Sequence, residues 1–223
     1  MTAFGGLTLS NQATPDVASP IASSGSCETA QEIMNIAATG EAFAVTFLGQ
    51  ALASAESGDL PLNAELVGTL EAARAAEQAH YDVLTVAGAE ATTLEFTFPD
   101  SDIFTNVGLF LETVITLEEA SIAAYLAAAQ EFSILGEPAM AQLALQIGAV
   151  EAEHRVGARF FAIQAGELDG TPNDVAFEKA LFGSVGEVAV LLEELGFIGG
   201  DGETVEFPGP GEINTTGVTN LEP

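Results

Sequence analysis

Apolar residues recur three and four positions apart through "SCETAQEIMNIAATGEAFAVTFLGQALASAES", and this spacing predicts an amphipathic helix over about 28–57 with Ser26 as its N-cap. "GDLPL" breaks the period. It resumes over 62–88, where Leu66, Leu70, Ala73, Glu77, His80 and Leu84 fall along one stripe. The next stretch, "AEATTLEFTFPDSD", alternates polar with β-branched and aromatic residues and holds a proline, so it predicts an extended connection. A third helix follows over about 103–132 and "SILGEP" closes it. The fourth runs from Pro138, a favourable first-turn proline, to Gly166. Four long helices predict an all-α bundle.

The flanks read differently. Residues 1–27 mix Thr, Ser, Gly, Pro and Asn around a short strand-like "GLTLS". Beyond the fourth helix, "TPNDVAFEKAL" and "GSVGEVAVLLEELGFI" predict two shorter helices, and the last segment is Gly, Pro and Thr-rich with one strand-like patch. The expected division is an extended arm over 1–27, a bundle with post-bundle helices over 28–198, and a second arm over 199–223. Such arms fray, pair with each other, or add a strand to a neighbouring copy and so build a homo-oligomer.

Charge narrows the range of partners. The chain has 33 acidic and four basic residues, a formal charge of −29, and no Lys or Arg before Arg74, which excludes a phosphate-tracking surface and with it nucleic acid. Stretches without charge, such as 42–55 and 138–150, are too short to span a bilayer, and anionic lipid would repel the chain, so no membrane insertion is expected. "MTAFGGLTLSNQATP" lacks the basic and apolar regions of a secretory signal, so either export does not use that route or the numbering begins after a removed leader. Localisation stays open, with export or the cell surface slightly favoured by the acid excess. Cys27 is alone, which rules out an intrachain disulfide and leaves a Cys-based metal site short of ligands; it reads most simply as a small buried apolar residue.

The chemistry lies in the histidines. There are two, in "AAEQAHYDVL" and "AVEAEHRVGA", and each stands three residues after a glutamate. Residues three apart on a helix lie about 60° apart around its axis, so Glu77 with His80 and Glu151 with His154 each aim a carboxylate and an imidazole at one point. Random placement of the chain's glutamates would produce both pairs about once in eighty trials. A dinuclear site also needs carboxylates from the other two helices, expected here as the bridging ligands.

Hairpin symmetry selects them. Ligands at one height on antiparallel helices are equidistant from the turn between them. The midpoint of Glu41 and Glu77 is Asp59, inside "GDLPL", and that of Glu118 and Glu151 falls between Ile134 and Leu135, inside "SILGEP". Starting from Glu112, the midpoint falls near Glu131 and Phe132, still within the third helix. Glu41 is also the only acid between Glu32 and Glu56, and an unpaired core carboxylate there would cost several kcal/mol. Glu119 and Glu153 lie about 100° around their helices from Glu118 and Glu151 and are expected behind the ligands or in solvent. The connection after the second helix spans roughly 45 Å when extended, about the length of a long helix, so it can cross the bundle end to end.

The segments "GEAFAVTFL", "AAEQAHYDVL", "LEEASIAAYLAAA" and "EAEHRVGARF" resemble the four helices of ferritin-like domain proteins, most nearly their desiccation-related branch. The likeness covers about 28–198. It implies a ferritin-like four-helix bundle with one long crossover and a di-iron or di-manganese carboxylate site. Rubrerythrins add a four-Cys module that is absent here, and cage-forming ferritins do not normally carry the second Glu-x-x-His, so neither specific activity transfers. Hard carboxylates with imidazoles suit two Fe ions first and two Mn ions second, and suit a closed zinc site poorly.

The expected metal ligands are therefore Glu41, Glu77, His80, Glu118, Glu151 and His154. Tyr125, two turns after Glu118, is the candidate catalytic group: its hydroxyl either bonds a ligand or relays an electron, or else simply packs in the core. Arg74, Arg155 and Arg159 flank the site in sequence and either offset its charge or form surface ion pairs. Two functions fit: a redox enzyme acting on O₂ or peroxide in a ferroxidase, peroxidase or catalase-like manner, and a structural subunit that joins copies through its arms.

Overall fold

The computed structural model describes residues 28–209, 213–215 and 218–223. Ser26, Cys27 and the strand-like "GLTLS" lie outside the described residues. The first helix, α1 (Ala30–Ser57), is capped by Thr29, whose side chain accepts from the Glu32 amide while the Glu32 carboxylate accepts from the Thr29 amide. Replacing Thr29 by Ala is expected to cost about 1 kcal/mol in a urea unfolding series.

α2 (Ala64–Val86) and α3 (Val107–Leu135) start from Asn63 and Asn106, which accept from the amides of Leu66 and Leu109. α4 (Pro138–Ala165) has proline in its first turn, as its sequence predicts. The α3–α4 turn is made by Gly136, whose φ of 80° lies in the left-handed region. α1 packs along α2 and α3 along α4, whereas α2 and α4 touch over a narrower region.

Between α2 and α3 the chain crosses the bundle through β1 (Glu95–Phe98) and one 3₁₀ turn, Ser101–Phe104, which replaces the expected start of the third helix. The short α5 (Gly186–Glu194) packs on α1 and α3. Its first amides are held by acids from elsewhere: Val185 donates to Glu131 at 3.0 Å and Gly186 to Glu28 at 2.9 Å.

The C-terminal stretch, expected as an arm with one strand-like patch, supplies β2 (Glu203–Glu206), antiparallel to β1 with Phe96 opposite Val205. Gly202 permits this approach, since a Cβ there would meet the Phe98 carbonyl oxygen at 2.5 Å. Phe207 follows, buried on the ring of Tyr81 at 4.6 Å between centroids.

What fixes the crossover is aromatic packing. Phe96 and Phe98 reach Phe43 on α1, Phe47 stacks on Phe110 of α3, and Phe197 after α5 closes the cluster at 5.0 Å from Phe43. α1 is the one described helix long and apolar enough to cross a membrane. More than half of its most apolar window is buried against the rest of the chain, so it serves as the core helix.

The segment "TPNDVAFEKAL" is not helical, contrary to expectation. Short helices need an apolar face to bury. Here Phe177 is 91% exposed, and the backbone is held by ion pairs to α4 instead: Arg155 grips Glu178 through both terminal nitrogens at 2.5 and 2.7 Å, and Arg159 reaches Asp174 at 2.6 Å.

Candidate metal centre

All six expected residues meet at the centre of the bundle. Glu41 comes from the middle of α1, Glu77 and His80 from α2, Glu118 from α3, and Glu151 and His154 from α4. The four carboxylates are buried, and the two imidazole side chains are each 12% exposed.

His80 Nδ1 has three carboxylate oxygens around it at once: Glu41 Oε2 at 3.3 Å, Glu77 Oε2 at 3.2 Å and Glu151 Oε1 at 3.2 Å. One N–H cannot serve three acceptors equally. An octahedral ion with bonds of about 2.1 Å sets adjacent ligand atoms about 3.0 Å apart, close to this spacing. His154 Nδ1 lies 2.8 Å from Glu77 Oε1, 3.6 Å from Glu151 Oε2 and 3.9 Å from Glu118 Oε1.

Despite that proximity the alignment fails, and His154 Nδ1 and Glu151 Oε1 are both buried without a hydrogen-bond partner among the described residues. Buried polar atoms in that condition cost about 1–3 kcal/mol each unless something else satisfies them. A cation held between them would do so for both.

The ligand atoms sort into two groups, each within 4.8 Å: Glu41, Glu77, His80 and Glu151 in one, and Glu77, Glu118, Glu151 and His154 in the other. Glu77 and Glu151 belong to both. Glu41 and Glu118, expected as the bridging carboxylates, each belong to one group only.

As protein groups alone, the six share charge unevenly. Burial pushes the Glu41 and Glu118 carboxyls well above the usual range, with Glu77 adding to the first and Glu151 to the second. Burial opposes charging of both imidazoles, but Glu41 beside His80 and Glu77 beside His154 outweigh it and hold both well above the ordinary histidine value. Glu77 is buried too, yet His154 and His80 bring it well below the usual range. Glu151 is buried beside the Glu77 charge as well, yet the neighbouring His154 and His80 imidazoles hold it below the usual range. The donor set of four carboxylates and two imidazoles fits a pair of divalent Fe or Mn ions, which would take the place of the shared protons.

Tyr125 lies against this cluster, and its hydroxyl donates to Glu41 Oε1. Burial and the Glu41 carboxylate push the phenol well above its ordinary value. The arginines do not face the centre. Arg155 and Arg159 turn outward to the 174–178 segment, and Arg74 donates from Nε to the Val45 carbonyl at 2.9 Å, in space that Gly49 leaves open. Glu119 faces Lys179 at 3.9 Å and Glu153 is exposed.

Sequence reading passed over Gln78, which is fully buried, donates to Asp82 at 2.9 Å and leaves Oε1 without a hydrogen-bond partner among the described residues. It also passed over Val218–Pro223, which lines the same cavity as His80 and His154. Neither had a signal of spacing or composition.

No curated protein and no solved structure matches the chain. The family model described as "Ferritin-like domain" matches residues 29–162, more than half of the 223. The match takes in α1, α2, the crossover, α3 and nearly all of α4, and therefore every residue of the cluster. The chain belongs to the ferritin-like domain family.

Proposed function

We propose that this protein is a dinuclear Fe or Mn carboxylate protein of the redox type, with Glu41, Glu77, His80, Glu118, Glu151 and His154 as ligands and O₂ or peroxide as oxidant. The observation that carries the reading is the pair of ligand groups sharing Glu77 and Glu151, with two buried polar atoms that have no hydrogen-bond partner among the described residues. Two ions held by these residues would exchange electrons with O₂ or peroxide, one electron each, as ferroxidase, peroxidase or catalase-like chemistry requires.

The protein's own part is positioning. Glu77 and Glu151 hold the two ligand groups together, while His80 and His154 each complete one of them. Tyr125 fixes the rotamer of Glu41 through its hydroxyl and offers a proton at Oε1.

Stopped-flow oxidation of Fe(II) under air and under peroxide tests the redox claim. Turnover faster than free Fe(II), abolished in Glu77→Ala, supports it; rates equal to the buffer blank with metal bound would remove it. Tyr125→Phe is expected to keep its metal and lose about ten- to a hundredfold in rate, the usual effect of removing a group that supports a ligand. The alternative, an assembly subunit, has less behind it, since the C-terminal strand that would join copies pairs with β1 of its own chain.

A further inference from the structure

Between α2 and α4, where the bundle is least tightly closed, lies a cavity of about 660 Å³. Leu66, Leu70 and Val83 line it from α2, and Leu143, Ile147 and Phe161 from α4. Small residues leave it room: Ala73 and Ala76 on α2 and Gly157 and Ala158 on α4 are part of its lining. Its lining also includes His80, His154 and Glu118, so the cavity runs onto the ligand cluster. Val218–Pro223 forms a further wall, and the volume is what remains with that segment in place, so the segment is not the occupant.

From this we infer that the groove is a binding site for a neutral, apolar organic molecule held against the metal centre. The size sets the class: ligand sites run to about 300–1,000 Å³, whereas a water fills about 30 Å³ and a diatomic or peroxide oxidant needs little more. An oxidant alone leaves most of this space unexplained. Charge sets the rest. No Lys or Arg lines the groove, its two imidazoles, His80 and His154, are already set against Glu41, Glu77 and Glu151, and Glu118, Glu153 and Glu222 lie along it, so a carboxylate or phosphate group would find no unpaired cation and three acids. Apolar walls ending in convergent polar groups are the usual make-up of a small-molecule site. What happens to the bound molecule rests on the dinuclear reading; its binding does not.

Gly157 provides the test. A Cβ there would meet only Thr69 Cγ2, at 3.8 Å, so Gly157→Phe fills the groove without clash at its root and removes a mid-helix glycine. Titration calorimetry with 1-octanol on metal-depleted protein should show one saturable site, with octanoate at least about tenfold weaker. Gly157→Phe should lower octanol affinity by at least about tenfold without lowering the thermal midpoint, and Ala73→Phe provides a second block if the first variant does not fold. In Mn(II)-loaded protein the octanol proton resonances should broaden beyond those in the metal-depleted form. Absence of saturable octanol binding, equal affinity for octanoate, or binding untouched by either blocking variant would overturn the inference. Octanol binding in a protein that takes up no metal would leave the groove standing and refute the dinuclear reading; metal uptake without octanol binding would do the reverse.

Discussion

Glu77→Ala is expected to abolish binding of both ions, whereas Glu41→Ala or Glu118→Ala removes one and weakens the other. The asymmetry follows from membership: Glu77 and Glu151 belong to both ligand groups, Glu41 only to the His80 group and Glu118 only to the His154 group. Anaerobic titration with Fe(II) or Mn(II) would read it as a change in stoichiometry. Affinity should fall by more than about a hundredfold for the shared positions, beyond what removing a supporting group alone produces. Glu77→Ala takes a charge out of a buried site that carries four carboxylates but also leaves His154 without its nearest one, so loss of ligand has to be separated from loss of folding. Circular dichroism of the metal-depleted variant checks that directly. Two ions bound with ordinary affinity in Glu77→Ala would show that Glu77 bridges nothing.

Phe43→Ala is expected to destabilise the protein by about 3–5 kcal/mol, the range for emptying a buried aromatic site. Phe43 is the hub of the aromatic cluster, touching Phe47 on its own helix, Phe96 and Phe98 on β1, and Phe197 beyond α5. Its loss removes packing from three separate segments at once. The crossover and the β1–β2 ribbon should therefore loosen before the four helices do. Hydrogen exchange at the Thr97 amide, bonded to the Phe197 carbonyl at 2.9 Å, should quicken more than exchange in α3. Equal protection at both places would mean that the ribbon is held by something other than these rings.

The bundle and the cluster are legible in the sequence because each rests on local spacing. Helical period places Glu77 with His80 and Glu151 with His154, and the requirement that hairpin partners be equidistant from a turn selects Glu41 and prefers Glu118 to Glu112. Those are one-dimensional constraints. Register depth is not: which carboxylates are shared depends on how far each helix face turns toward the axis, and only packing sets that. The four-residue strands β1 and β2, about a hundred residues apart, likewise carry no pairing signal. Their register is set by Phe96 and Phe98 against α1 and by Thr97, whose hydroxyl donates to the Gly196 carbonyl at 2.5 Å and accepts from the Gly200 amide at 3.1 Å. The 171–181 segment misleads for a similar reason, since Arg155 and Glu178 find each other across a turn that no periodicity describes.

The outward-facing arginines have a consequence for the centre. With Arg155 and Arg159 committed to Glu178 and Asp174, no Lys or Arg among the described residues ion-pairs with the four buried carboxylates, whose counter-charges there are the two imidazoles. Buried like charges without compensation are costly, so a site of this composition favours divalent cations strongly over its own protons.

Metal content settles the central claim most directly. Protein purified without added metal or chelator, analysed by elemental mass spectrometry before and after anaerobic addition of Fe(II) or Mn(II), should contain about two ions per chain when loaded, as expected for a dinuclear carboxylate bundle. No bound metal in either preparation would contradict the account and leave the buried glutamates and histidines as partners only of one another.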